Sequence, residues 1–216
     1  TTGVQNVIIG GLAADALTDA DFNVAIGTGA LSSDTKGNKS IAIGQAALFA
    51  QNFTTSTDSH NVAIGNEAGV AVTTGVNNVL IGSLAGDALT DADNNVAMGK
   101  SALSADTLGS NSTAIGRKAL GTQNFTTATN SYNAALGSFA GERLTTGIQN
   151  TLIGSLAGDV LTDADFNTAI GYQVLSGDTL GSKSTAMGWF ALGSQNFTTA
   201  TDTFNTAVGF QAGALV

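Results

Sequence analysis

The chain has 216 residues, of which 43% are hydrophobic but only 11% charged and 6% aromatic, with 28 Gly and neither Pro nor Cys. That apolar share is enough for a buried core, and the abundance of Val and Ile without Pro argues against disorder. The formal net charge of −9, with only seven Lys plus Arg, leaves no basic stripe for nucleic acid; there is no cysteine for a disulfide, and no run approaches the roughly 18 apolar residues of a membrane helix.

In chain order, one short signature keeps returning: Asn or Ser, then two or three apolar residues, then Gly. It runs Asn6 to Gly10, Asn23 to Gly27, Ser40 to Gly44 and Asn61 to Gly65. It returns at Asn78 to Gly82, Asn95 to Gly99, Ser112 to Gly116 and Asn133 to Gly137. The last four are Asn150 to Gly154, Asn167 to Gly171, Ser184 to Gly188 and Asn205 to Gly209. The glycines are spaced 17, 17, 21 and 17 residues apart, so four units make a period of 72 and the chain holds three periods, 1–72, 73–144 and 145–216. Periodicity of this kind marks a solenoid. Because the chain starts and stops on a period boundary, these residues are expected to be an excerpt of a longer array.

We number each unit from its Asn or Ser as position one. Position four is always aliphatic or Met, position three is Ala in nine units, and position eight is Ala in eleven, with Val174 the exception. A four-residue run such as Val24-Ala25-Ile26-Gly27 is too short for a helix. The pattern predicts an all-β parallel solenoid of twelve coils, each with two short strands and two turns, about 55 Å long at the strand spacing. Stacked equivalents then form columns: asparagine amides bonding to one another, and glycines where a Cβ would clash. Positions two and four are expected to fill the interior, the Ile at four occupying the space that Ala leaves, with position three outside; the opposite arrangement is the alternative. Apolar residues on both strand faces require a second burial, which self-association supplies.

Units such as Asn61-Val62-Ala63-Ile64-Gly65 and Asn167-Thr168-Ala169-Ile170-Gly171 resemble the head repeats of trimeric autotransporter adhesins. Still closer is the resemblance of Asn150-Thr151-Leu152-Ile153-Gly154 and its successor to the repeat arrays of bacteriophage tail fibres and related virion appendages. The resemblance covers the whole chain, although coils of 17 or 21 residues are longer than the usual unit of adhesin heads. It implies left-handed β-rolls associated as a homotrimeric rod, and a shaft that holds a receptor-binding tip. The alternative is an adhesin head at the bacterial surface, binding host matrix or glycans through its lateral face.

No enzymatic site is expected. His60 is the only histidine, and its equivalents are Tyr132 and Phe204, so it reads as a turn residue. The pairs Asp19/Asp21, Asp91/Asp93 and Asp163/Asp165, with Asp15, Asp87 and Asp159 upstream, have oxygen donors suited to calcium; a Thr-Asp-Ala-Asp run is also a solvated turn, and that reading is preferred, with no cofactor. N-glycosylation patterns such as Asn52-Phe53-Thr54 are expected by chance in so Asn-rich a chain. Ice binding needs complete Thr columns, whereas Thr at position two runs mainly in the second half. The four extra residues of each long coil are assigned to Gln51–Thr55, Gln123–Thr127 and Gln195–Thr199, as bulges whose Phe53, Phe125 and Phe197 tuck against neighbours. Expected partners are further copies and flanking fibre segments, with no nucleic acid and no membrane insertion; the expected location is the virion, or alternatively the bacterial surface.

Overall fold

The computed structural model describes residues 2–216; Thr1, which opens the first Thr-Thr-Gly signature, lies outside them. No helix forms, and each coil contributes one three-residue strand to a single twelve-stranded parallel sheet, from Val7–Ile9 at one end to Thr206–Val208 at the other. Neighbours in the sheet are successive coils in strict register, Val24 opposite Ile41 and Thr168 opposite Thr185. A second strand occurs only where a long coil lies on the coil before it: Gly37–Asn38 pairs with Thr57–Asp58, Gly109–Ser110 with Thr129–Asn130, and Gly181–Ser182 with Thr201–Asp202. The predicted two strands per coil are thus met only in the long coils and the coils before them; elsewhere the remainder turns too often to be extended. Among the described residues thirty other than glycine have positive φ, at positions seven, nine and seventeen of the short coils and their equivalents in the long ones.

The side-chain alternation is the reverse of the favoured expectation. Position three faces the lumen, with Ala25, Ala42, Leu80, Ala97 and Leu152 at 0% exposure, and positions two and four face outward. The reason lies in position one. Its Asn is held inside by hydrogen bonds, and residues two apart on a strand share a face. The lumen is therefore filled by Leu at other positions, not by the fourth-position Ile. Two packing modes alternate. Coils with Leu at position nine, such as Leu31, Leu48, Leu103 and Leu120, carry Asp or Gln at position twelve (Asp34, Gln51, Asp106, Gln123). Coils with Gly86 or Gly158 at position nine carry Leu89 or Leu161 at twelve, and a Cβ on Gly86 would lie 2.8 Å from Leu89 Cδ1. The lumen holds one or two large side chains per coil, Leu80 joining Leu89 and Leu152 joining Leu161 where position three is Leu.

The long coils leave the common register in two steps. Thr35 Oγ1 donates to Asn52 Oδ1, 17 residues on; Gly37 lies opposite Thr57, 20 on; Ile41 lies opposite Val62, 21 on. Three extra residues therefore loop out between Asn52 and Thr57, where Thr54, Thr55 and Ser56 are exposed, and the fourth is taken up around Ser59. Phe53 and Phe125 are buried at 7% and 6%, and Phe197 is half-buried.

Candidate functional site: the outer sheet face and the columns that hold it

The glycine column fixes the spacing of the coils. A Cβ added to Gly10, Gly27, Gly44, Gly65, Gly82, Gly99, Gly116, Gly137, Gly154, Gly171 or Gly188 would lie 2.2–2.7 Å from backbone atoms of the glycine in the next coil, and φ in this column is +127 to +148°. Only Gly209, in the last coil, meets no such backbone.

The asparagine column acts differently from the amide-to-amide ladder expected of it. Asn23 Oδ1 accepts from the backbone N–H of Ser40 (2.8 Å), and Asn23 Nδ2 donates to the carbonyl of Gly37 (2.8 Å). Each amide thus inserts itself between the first C=O and the last N–H of the turn that enters the next coil. Asn6, Asn78, Asn95, Asn150 and Asn167 repeat both contacts. Asn61 and Asn133 do so as well, and each also donates to a glutamine (Gln51, Gln123), as Asn205 does to Gln195. Direct amide-to-amide contacts are the long ones, Asn78 to Asn61 at 3.4 Å and Asn150 to Asn133 at 3.3 Å. Turn backbone offers a better-placed donor and acceptor than a neighbouring amide 17 residues away.

Where Ser replaces Asn, a hydroxyl is too short for this task, and a glutamine reaches across the lumen. Gln123 Nε2 donates to Asp106 Oδ2 (2.6 Å) and Ser112 Oγ (2.8 Å), while its Oε1 accepts from Asn133 (2.9 Å). Asp106 Oδ1 accepts from the amides of Gly109 and Phe125, both at 3.0 Å. The same cluster recurs around Asp34/Gln51 and Asp178/Gln195. Burial pushes the Asp106 carboxyl up, against the opposing hydrogen bonds from Gln123 and these amides. All six carboxyl and amide side chains are sealed from water and saturated, which makes the clusters structural pins with no room for a substrate.

The paired acids are pins between coils. Asp21, Asp93 and Asp165 accept from the backbone N–H of Val4, Val76 and Ile148, and Asp19, Asp91 and Asp163 accept from Thr2, Thr74 and Thr146. Among the described residues no group of three or more His, Cys, Asp or Glu is arranged to hold a metal ion. His60 is an exposed turn residue at φ +50°. Asp87 and Asp159 differ: each is half-buried with one carboxylate oxygen lacking any partner, and burial raises both pKa values, Glu67 adding to the effect at Asp87 and Arg143 opposing it at Asp159. A raised folded-state pKa means that the folded chain holds these protons more tightly than the unfolded chain. Their contribution to stability therefore grows as pH falls from neutrality through the raised values, and is complete below the ordinary carboxylate value. In paired denaturation curves, the stability of Asp87→Asn/Asp159→Asn relative to the parent is expected to decline as pH falls across that interval.

The outer face of the sheet runs through all twelve coils. Position four presents Ile9, Ile26, Ile43, Ile64, Ile81, Met98, Ile115, Leu136, Ile153, Ile170, Met187 and Val208, with Val, Ile, Thr or Ala beside them at position two. No charged or amide side chain interrupts either column. In mid-rod Leu136 is still 46% exposed, although the coils above and below cover its flanks. A charge-free face of this length, apolar in every coil at position four, is unlike the singly scattered exposed residues of ordinary monomers. At its C-terminal end it is bordered by a column that the sequence reading missed, Tyr172, Trp189 and Phe210 at position six. Trp189 and Phe210 stack at 4.9 Å between centroids and 12° between planes, so their facing sides cover each other, while Phe210 is still 72% exposed. No protein-family model, curated protein or solved structure matches this chain.

Proposed function

We infer that the chain is the structural shaft of a homotrimeric appendage of the bacteriophage tail-fibre type, each protomer a left-handed roll, which holds a receptor-binding tip at a distance. The observation that carries this reading is the charge-free outer face of the twelve-stranded sheet. Three copies meeting on that face bury the position-two and position-four columns along a common axis, and closed symmetry stops growth sideways. The axis residues are thus Ile, Val and Thr, whereas the position-three Ala and Leu serve the lumen. The buried polar clusters have no opening and every polar atom in them is paired, which suits a load-bearing role and offers no chemistry. Burial of Phe53 and Phe125, with Phe197 half-buried, withdraws the aromatics of the long-coil bulges, whose exposure would have favoured a sugar-binding edge there and the adhesin reading.

Sedimentation equilibrium on the purified chain is expected to give the mass of three chains. The triple variant Ile64→Lys/Ile115→Lys/Ile170→Lys, which places ammonium groups at three heights of the outer face, is expected to give single folded chains. A parent chain that remains a soluble monomer at micromolar concentration overturns the reading.

A further inference from the structure

We propose that the copies of the trimer inferred above, on which this rests, lock corner to corner: the column of residues just before the asparagines of one copy packs, at equal height, against the position-six column of the next copy. The outer sheet face has two corners. At one, the residue before each Asn or Ser takes a left-handed backbone, φ +50 to +63°, and its side chain is exposed or half-buried, as in Phe22, Lys39, Tyr132 and Phe166. At the other, position six follows the column glycine. In coil ten, which has a coil on either side, Phe166 is 45% and Tyr172 44% exposed. Three sheets around one axis have all their strands running in the same rotational sense, so the first corner of each protomer meets the second corner of its neighbour.

Within one protomer the width of the strand separates the two corners, so nothing in a single chain couples them, yet their chemistry changes together. In coils three to seven both are polar, as in Lys39 with Gln45, His60 with Asn66 and Asn94 with Lys100. In coils two and eight an aromatic stands at the height of a small hydroxyl, Phe22 with Thr28 and Tyr132 with Ser138. From coil ten both corners turn aromatic: Phe166 with Tyr172 and Phe204 with Phe210, while in coil eleven Lys183 stands opposite Trp189, a cation–π pairing. The change is not inherited from the repeat, since the coil-eleven pair corresponds to Lys39 with Gln45 and Asn111 with Arg117 in the earlier periods. Charge points the same way. Of the sixteen Asp plus Glu, none stands in either corner column or at positions two and four; all but Glu67 lie at positions ten to sixteen or their long-coil equivalents. Three chains of net charge −9 thus meet on a side free of carboxylates. Where a cation stands at one corner (Lys39, Lys100, Arg117 or Lys183), its partner is an uncharged side chain, so no like charges are brought together.

The chain has no cysteine, so an introduced pair reads the contact directly. Asn77→Cys/Ser83→Cys places thiols at the two corners of coil five. The strand between them, at about 3.3 Å per residue, holds their Cα atoms well beyond the roughly 7 Å that a disulfide spans, so oxidation does not close within one chain. After mild oxidation this variant is expected to run as a covalent trimer on a denaturing gel, whereas Asn77→Cys/Arg117→Cys, whose sites differ in height by two coils, is expected to stay as single chains. Trp189, the only tryptophan, is expected to be shielded from acrylamide in the parent and open to it in the triple lysine variant of the outer face. A cysteine pair that loses the parent's far-ultraviolet spectrum is replaced by Gln149→Cys/Ser155→Cys, its counterpart in coil nine. Chains that sediment as trimers but remain separate after oxidation overturn the corner contact and leave the trimer standing. Equal cross-linking of the two pairs, or equal quenching of Trp189 in parent and lysine variant, also overturns the contact; a parent that sediments as a monomer overturns both it and the trimer.

Discussion

Gly116→Val is expected to lower the melting temperature by roughly 10 °C, whereas Asp93→Ala lowers it by only a few degrees. A Cβ on Gly116 would stand 2.4 Å from the Gly137 carbonyl oxygen and 2.5 Å from its carbon, and neither is the movable end of a side chain. Relief requires coils seven and eight to separate, with loss of the bonds between them. A β-branched residue at φ +133° adds about 1 to 3 kcal/mol of backbone strain, so a total of about 3 to 5 kcal/mol is expected. Asp93 is more than a solvated turn residue, because its carboxylate holds the Val76 amide at 2.8 Å, and its loss costs about 1 kcal/mol. For a chain of this size each kcal/mol moves the transition by roughly 2 to 4 °C. Thermal melts followed by circular dichroism compare the two directly, and equal shifts would refute the coil alignment.

The second large effect is expected at Asp106. Asp106→Ala leaves three buried donors, the amides of Gly109 and Phe125 and one hydrogen of Gln123 Nε2, without an acceptor in a cluster sealed from the surface. A stranded buried donor costs about 1 to 3 kcal/mol, and loss of a whole pinning carboxylate about 3 to 5 kcal/mol. Asp106→Asn is expected to recover part of this, since an amide oxygen still receives both backbone N–H groups while its own NH₂ faces the Gln123 Nε2 that the carboxylate accepted. The ranking parent, Asn, Ala in denaturant midpoint checks the assignment; an Ala variant as stable as the parent would show that the carboxylate is dispensable.

The repeat, the register and the stacking of coils are readable in the residues themselves, because a small residue every 17 positions has few other physical explanations. Orientation was misread. Ile at position four looks like core by hydrophobicity alone, but Asn at position one has two polar atoms that the turn backbone can satisfy, and two-residue periodicity then carries Ala inside with it. The lumen pattern was also in the sequence: Leu48 with Gln51, Leu103 with Asp106 and Gly86 with Leu89 trade size between positions nine and twelve. Comparing those two columns reveals it, whereas reading either alone gives only a polar residue three after a Leu. The turns were not legible. Leu31, Phe166 and Lys183 have φ between +54 and +63°, a region that glycine and asparagine advertise and that Leu, Phe and Lys do not. Tertiary stacking imposes it on them. The outer aromatic column Tyr172, Trp189 and Phe210 required the register first, since the three are 17 and 21 residues apart and fall into line only through the coil geometry.

The strands lie across the rod, so their hydrogen bonds point along it, and this decides how the molecule answers to force. A pull along the rod acts along those bonds and is carried in series by every junction between coils. The weakest junction opens first. Each release of a short coil frees 17 residues, which reach about 56 to 61 Å when drawn straight, where the folded coil occupied about 4.8 Å; a long coil frees 21. Under tension the rod therefore unwinds turn by turn and gains length in steps many times its own thickness per coil, absorbing work at each one. Under compression the same coils rest backbone on backbone at the glycine column, with nothing between them left to yield.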